Sequence, residues 1–265
     1  RIIFEAGLAD AAQVGIEPPH NGLTSGHRSL LHITAMFGHP ALTELLLEHG
    51  AAKVIEVRLN GNADTALQRA AHAGLWWGRR REVAKILLAH GAYYDIFSAC
   101  ALDDEARLRG LLAEDPAAVG ARHSDRTTPL HWAAAAGAGA CAEVLLAGGA
   151  DVGALNSGKK TPLHKAAEPH GVTPADWTFP PIERVIALLV RNDANVNAQD
   201  TKGRTPLHLA TYGGAAAVAE QLLALGAETT VKNKRGKTAF EVARMDCLYL
   251  KPGRPKARRR TAGRR

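Results

Sequence analysis

The tetrad Thr128-Pro129-Leu130-His131 recurs unchanged as Thr161-Pro162-Leu163-His164 and Thr205-Pro206-Leu207-His208. Looser copies begin at Ser29, Thr65, Asp95 and Thr238. The fourth letter of the seven copies falls at 32, 68, 98, 131, 164, 208 and 241, giving intervals of 36, 30, 33, 33, 44 and 33 residues. A period near 33 that tolerates insertions argues against one large layered core, because each unit is too short to bury its own apolar face and has to shelter it on a neighbour.

Each letter of the tetrad has a reason to open a helix. The Thr hydroxyl accepts from free N–H groups of the first turn, Pro has no donor to lose and its φ is preset, and Leu is the first side chain to be buried. Small residues follow, Ala133-Ala134, Ala166-Ala167 and Ala210-Thr211, and then an end-signal glycine at Gly38, Gly137 and Gly214. A second helical stripe comes next, with apolar residues at i, i+3 and i+4, as in Cys141, Val144, Leu145 or Val185, Leu188, Leu189. It stops at Gly-Ala or Asp193-Ala194, and the polar run before the next tetrad, such as 197–204, has turn composition.

Helix, tight turn, helix and hairpin, with TPLH opening the first helix, resembles the ankyrin repeat over roughly residues 28–245. The resemblance implies an all-α solenoid of stacked helix-turn-helix units joined by hairpin loops, working as a non-catalytic protein-binding module. It also implies that His32, His131, His164 and His208, which share one repeat position, are structural hydrogen-bonding residues tying hairpins together. Their expected separation of about 10 Å, the distance between packed helices, is too long for shared metal ligation.

Charge is unevenly placed. Residues 251–265 carry eight of the 33 Lys and Arg and no acid, so the first 250 residues hold 25 cations against 26 acids. No apolar run approaches the ~18 residues of a membrane span. Cys100, Cys141 and Cys247 have no metal-like spacing and are expected to be buried reduced thiols. There is no HExxH, no GxSxG and no glycine-rich nucleotide loop, so no catalytic, cofactor or metal site is expected.

The expected organisation is a partial repeat at 1–27, repeats one and two at 28–94, repeats three to seven with a C-terminal cap at 95–250, and a disordered basic tail at 251–265. The loop at 53–58 has β-like composition, and the third unit, with Asp103-Asp104 in place of a turning glycine, is expected to change the stacking angle. Five extra residues around Leu75-Trp76-Trp77-Gly78-Arg79-Arg80 lie between the helices of unit two, and eleven within 169–181 between those of unit five. Trp76 and Trp77 are either partner contacts or packing on helix ends beside solvated arginines.

The repeat register places Ser124, Asp125, Thr127 and Trp132 of unit four on the hairpin and first-helix face. Lys159, Lys160 and Lys165 of unit five share that face, as do Lys202, Arg204, Leu209 and Tyr212 of unit six, and Lys234, Arg235 and Lys237 of the last hairpin. The cations form a positive stripe, either solvated charge or a surface for an acidic partner. The expected function is protein–protein interaction as a scaffold or adaptor, by a cytoplasmic monomer. Alternatives are nucleic-acid or anionic-surface binding through the tail, whose arginines also suit nuclear import, and a regulatory fragment of a larger enzyme.

Overall fold

The structure is a computed structural model that describes residues 30–56, 64–72, 77–168 and 182–243. The expectations for 1–27, Trp76, the Trp77 side chain, the insert at 169–181 and the tail at 251–265 lie outside the described residues.

Helices and turns make up the described residues, without a strand. They form six antiparallel pairs: α1 (Leu30–Phe37) and α2 (Pro40–Glu48), α3 (Ala66–Ala71) and α4 (Trp77–Ala89), α5 (Ile96–Leu102) and α6 (Glu105–Glu114), α7 (Pro129–Ala136) and α8 (Gly139–Ala147), α9 (Pro162–Ala167) and α10 (Ile182–Arg191), α11 (Pro206–Tyr212) and α12 (Ala216–Ala224). A last helical turn spans 239–243. First helices stack in one row, α1 on α3, α5, α7, α9 and α11 in succession. Second helices form a parallel row, whose loosest step lies between α4 and α6.

The tetrads are adjacent rungs of this stack. The third letters of five copies, Leu31, Leu67, Leu130, Leu163 and Leu207, are fully buried, each worth about 1.5–3 kcal/mol relative to exposure, whereas Phe97 is half-buried and Phe240 of the last copy is exposed. Ala134, Ala167 and Ala210 are buried beside the leucines and let the rows approach closely. Thr65, Thr128, Thr161 and Thr205 each sit in a reciprocal capping box with the fourth letter of the tetrad. The fourth letter then reaches the next unit: Nε2 of His131 lies 2.9 Å from Lys160 O, that of His164 3.0 Å from Arg204 O, and that of His208 3.0 Å from Lys237 O. Because Nδ1 accepts the backbone N–H of its own Thr, Nε2 carries the proton and donates.

The looser tetrads keep the rung by other chemistry or lose it. Gln68 accepts Thr65 N–H at 2.9 Å and donates to the Asp95 carboxylate. Asp95 in turn caps α5 by accepting Ser98 N–H at 2.8 Å. Ser98 is too short to continue, and its buried hydroxyl has no hydrogen-bond partner among the described residues.

Two local expectations are corrected. Of the loop at 53–58, Lys53 and Val54 belong to a 3-10 turn, Ala51–Val54, and 55–56 to a turn rather than an extended segment, while 57 and 58 lie outside the described residues. The arginines after the tryptophan pair are not simply solvated: Arg80 donates to Met36 O at 2.6 Å and His72 O at 2.9 Å, and Arg81 to Leu102 O at 2.6 Å. They satisfy carbonyls at the ends of three first helices, which otherwise lack partners. At the turn of unit three, Asp103 takes the left-handed conformation that glycine serves elsewhere (φ 55°), and its carboxylate accepts Cys141 N–H at 3.1 Å. Asp104 caps α6 through Arg107 N–H at 2.9 Å.

Candidate partner-binding face

Four hairpins, at 123–127, 156–160, 200–204 and 233–237, are closed by the same backbone bond from first residue to last, for example His123 N to Thr127 O at 2.8 Å and Asp200 N to Arg204 O at 2.9 Å. Asn156, Asp200 and Asn233 also fold their side-chain oxygens onto backbone N–H groups of the turn at 2.8–3.2 Å. Neighbouring tips are joined by backbone bonds, Ser157 N to Asp125 O at 2.8 Å, Thr201 N to Gly158 O at 3.0 Å and Lys234 N to Lys202 O at 3.0 Å. The tips therefore form one continuous edge.

The hairpin of unit four departs from this scheme, because His123 occupies the Asx position. The turn is held instead by Asp125, which accepts Thr127 N–H at 3.0 Å and the Thr127 hydroxyl at 2.5 Å. The released imidazole packs inward against Phe97 and Trp132, with ring centroids 5.4 and 5.6 Å apart. His123 Nε2 meets Asp64 Oδ1 at 3.1 Å, and Nδ1 lies 3.6 Å from Asp125. Asp125 and Asp64 raise the imidazole pKa to about 9 against the opposing effect of burial. Burial pushes the Asp125 carboxyl up, yet His123 and Thr127 hold it well below the usual carboxylate range. Asp64 also pairs with Arg69 at 2.8 Å.

These groups wall a cleft of about 180 Å³ on the first-helix side of units two to five, between Arg69, His72, Asp125, Trp132 and Lys165. Trp132 forms its floor, mostly buried, with its indole N–H donated to the Thr127 hydroxyl at 3.1 Å and His72 edge-on to it. The volume suits one side chain rather than a cofactor. Among the described residues, no three His, Cys, Asp or Glu gather to hold a metal ion.

The residues singled out by register divide into three sets. Ser124, Asp125, Lys159, Lys202, Tyr212, Lys234, Arg235 and Lys237 are exposed on the tips or the open face of α11. Thr127, Trp132 and Leu209 are buried, the first two lining the cleft. Lys160, Lys165 and Arg204 are half-buried and already paired. Both lysines meet Glu168, Lys165 at 2.9 Å, and Arg204 grips Asp200 through two nitrogens at 2.9 and 2.7 Å. Burial works against both carboxylates, but Lys165 and then Lys160 keep Glu168 ionised, and Arg204 does the same for Asp200. The positive stripe thus loses three members to internal acids and keeps the tips. Asp64, Arg69, His72 and His123 escaped the register argument. His123 is nevertheless visible when 123, 156, 200 and 233 are aligned, since it alone is not Asn or Asp there.

Comparison with known proteins agrees with this architecture. Residues 6–98 and 96–172 match a family described as ankyrin repeats in three copies, and residues 188–243 one described as ankyrin repeats in many copies. A 60-residue stretch, 23% of the chain, is 42% identical to the ankyrin repeat and LEM domain-containing protein 1 homolog of Caenorhabditis elegans, and covers 8% of that protein.

Proposed function

The chain belongs to the ankyrin-repeat family, and from that premise we propose that it is an interaction module that grips a protein partner between its hairpin tips and its first helices. Ankyrin repeats generally mediate protein–protein interaction and are generally non-catalytic. The observation that carries the finer reading is the pairing of a side-chain-sized cleft at Trp132 and His123 with an adjoining edge of exposed tip residues, while two units further along the first-helix row Tyr212 is 56% exposed. A preformed cleft with a Trp in its wall and a large aromatic left in water on the same row have the composition of an interface, where Tyr, Trp and Arg anchors carry most of the affinity. Among the described residues the second helices show no comparable cleft with exposed aromatics: most of their large apolar side chains are covered, Leu42 being an exception at 38% exposure, and outer positions such as Glu143 and Glu220 are exposed.

The test is capture of partners from the native host by the full chain. Ser124→Arg and Tyr212→Ala, which alter exposed positions, are expected to abolish capture while far-UV circular dichroism stays unchanged. Glu220→Arg on α12 is expected to leave it intact. The opposite pattern, with loss only from the α12 variant, refutes the assignment of the face.

A further inference from the structure

The tips carry a second observation that their role as turns does not explain. Arg126, Lys159, Gly203 and Gly236 occupy one repeat position, and all four adopt left-handed backbone with φ of 65°, 54°, 71° and 70°. Each N–H makes the same bond to the first residue of its hairpin, at 2.8–2.9 Å. Glycine enters this conformation freely, whereas a residue with a Cβ is strained there. Two of the four tips nevertheless place a cation in it. At Gly203 a side chain is impossible, since a Cβ would lie 2.9 Å from Lys234 N. There the cation stands one residue earlier, as Lys202, and the last tip presents Lys234 and Arg235.

Every one of the four successive tips therefore exposes at least one cation. Among the described residues none of Arg126, Lys159, Lys202, Lys234 and Arg235 forms an ion pair. Within the tip residues 124–126, 157–159, 201–203 and 234–236 the one acid is Asp125. Its carboxylate is already committed to Thr127 and His123. The tips keep their charge where the neighbouring positions Lys160, Lys165 and Arg204 have lost theirs.

Spacing selects among anionic partners. Helices packed side by side lie about 8–10 Å apart, so cations on consecutive tips repeat at about that interval. A polyproline II segment has three residues per turn and rises about 3.1 Å per residue, so every third side chain points the same way about 9 Å further on. A β-strand alternates faces with period two and places i and i+3 on opposite sides. Duplex DNA winds through most of its ~34 Å turn over the length of four tips, which carries its phosphates away from the edge. No aromatic residue stands on the tips to stack unpaired bases.

We infer that the tip edge of the last four hairpins docks an extended, polyproline II-like acidic segment of a protein partner, with a carboxylate at about every third residue. The inference deepens the proposed protein-binding function and rests on it.

The test uses the full chain and two labelled peptides of equal composition, one repeating Glu-Pro-Pro four times and one with its glutamates in a block. Fluorescence anisotropy is expected to show about tenfold tighter binding of the spaced peptide, weakening between about 50 and 200 mM salt. The double variant Arg126→Gly and Lys159→Gly removes two cations and the backbone strain together. It is expected to melt no lower than wild type and to bind the spaced peptide about fivefold more weakly. Strain relief without loss of binding overturns the inference, as do equal affinities for the two peptides. Displacement of the peptide by a DNA duplex at lower concentration also overturns it. Binding through the cations of 251–265 would be indifferent to both substitutions and is refuting in the same way. Failure of the peptides alongside intact partner capture at Tyr212 rejects this partner chemistry and leaves the proposed function standing; loss of both removes the function.

Discussion

Replacing His164 by Ala removes the central rung of the stack, and the structure sets the size of the effect. Two groups lose their partners: Thr161 N–H, bound to Nδ1 at 3.2 Å, and Arg204 O, which accepts from Nε2 at 3.0 Å. Each buried group left unsatisfied costs about 1–3 kcal/mol, and the vacated imidazole adds a small cavity. A destabilisation of about 3–5 kcal/mol follows, a large part of the ~5–15 kcal/mol that holds a domain. His164→Gln separates hydrogen bonding from packing, because Gln68 already fills this position in unit two, accepting Thr65 N–H through Oε1 and donating onward through Nε2. The glutamine variant is expected to lose about 1–2 kcal/mol. Since a solenoid couples mainly nearest neighbours, the assay is native-state hydrogen exchange: amides of α9 and α11 lose protection while those of α1 and α3 do not. The pH dependence supplies a second measure. Burial holds His164 below its ordinary pKa, so its contribution is present above about pH 6.5 and is lost as pH falls. The glutamine variant should show a shallower acid loss. A cost below about 1 kcal/mol for Ala, or equal costs for Ala and Gln, would refute the view that the rung works by pairing two backbone groups across units.

His123→Asn should restore the turn used by the other hairpins while removing an imidazole whose pKa is raised to about 9. A raised pKa stabilises the fold below its unfolded value of 6.5 and the gain fades as pH climbs through 9. Urea titrations from pH 6.5 to 9.5 should therefore show wild type losing about 1–2 kcal/mol, allowing for partial solvent screening, and the variant nearly flat. Ser98→Ala deletes a buried hydroxyl that has no partner among the described residues. It is expected to be neutral or to stabilise by up to about 1 kcal/mol in thermal unfolding; a loss of more than that would reveal a bond the structure does not show.

The stack was legible because its signals are local and repeated. Thr, Pro and Leu act within one helical turn, and the period shows which leucines share a row. Pairings inside a few residues were equally readable, as in Lys165 with Glu168 and Asp200 with Arg204, whose spacings of three and four would have marked them as neutralised cations. Distant pairings left no such trace. Arg80 reaches Met36 across 44 residues, and nothing in an arginine beside two tryptophans distinguishes a helix-end staple from a surface anchor. Trp132 shows the limit of register alone: its repeat position is shared with Lys165 and the buried Leu209, so the neighbours on either side, here His72, Phe97 and His123, decide whether it is covered.

Several departures from the repeat rule fall in units two to four. Gln68 substitutes for the rung histidine, Ser98 breaks the rung, Asp103 strains its backbone where glycine serves elsewhere, His123 abandons the Asx turn, and α4 and α6 make the loosest step of the outer row. A unit selected only to stack gains nothing from most of these exceptions, since Ser98 forfeits a hydrogen bond and Asp103 a favoured conformation. Two of these exceptions meet at the cleft floored by Trp132: His123 turns inward with the Asx bond surrendered, and its Nε2 meets Asp64 of unit two at 3.1 Å. Recognition thus draws on both parts of the stack: the hairpins from 123 to 237 supply a joined edge of charged tips, and the departures in units two to four shape much of the pocket beside it.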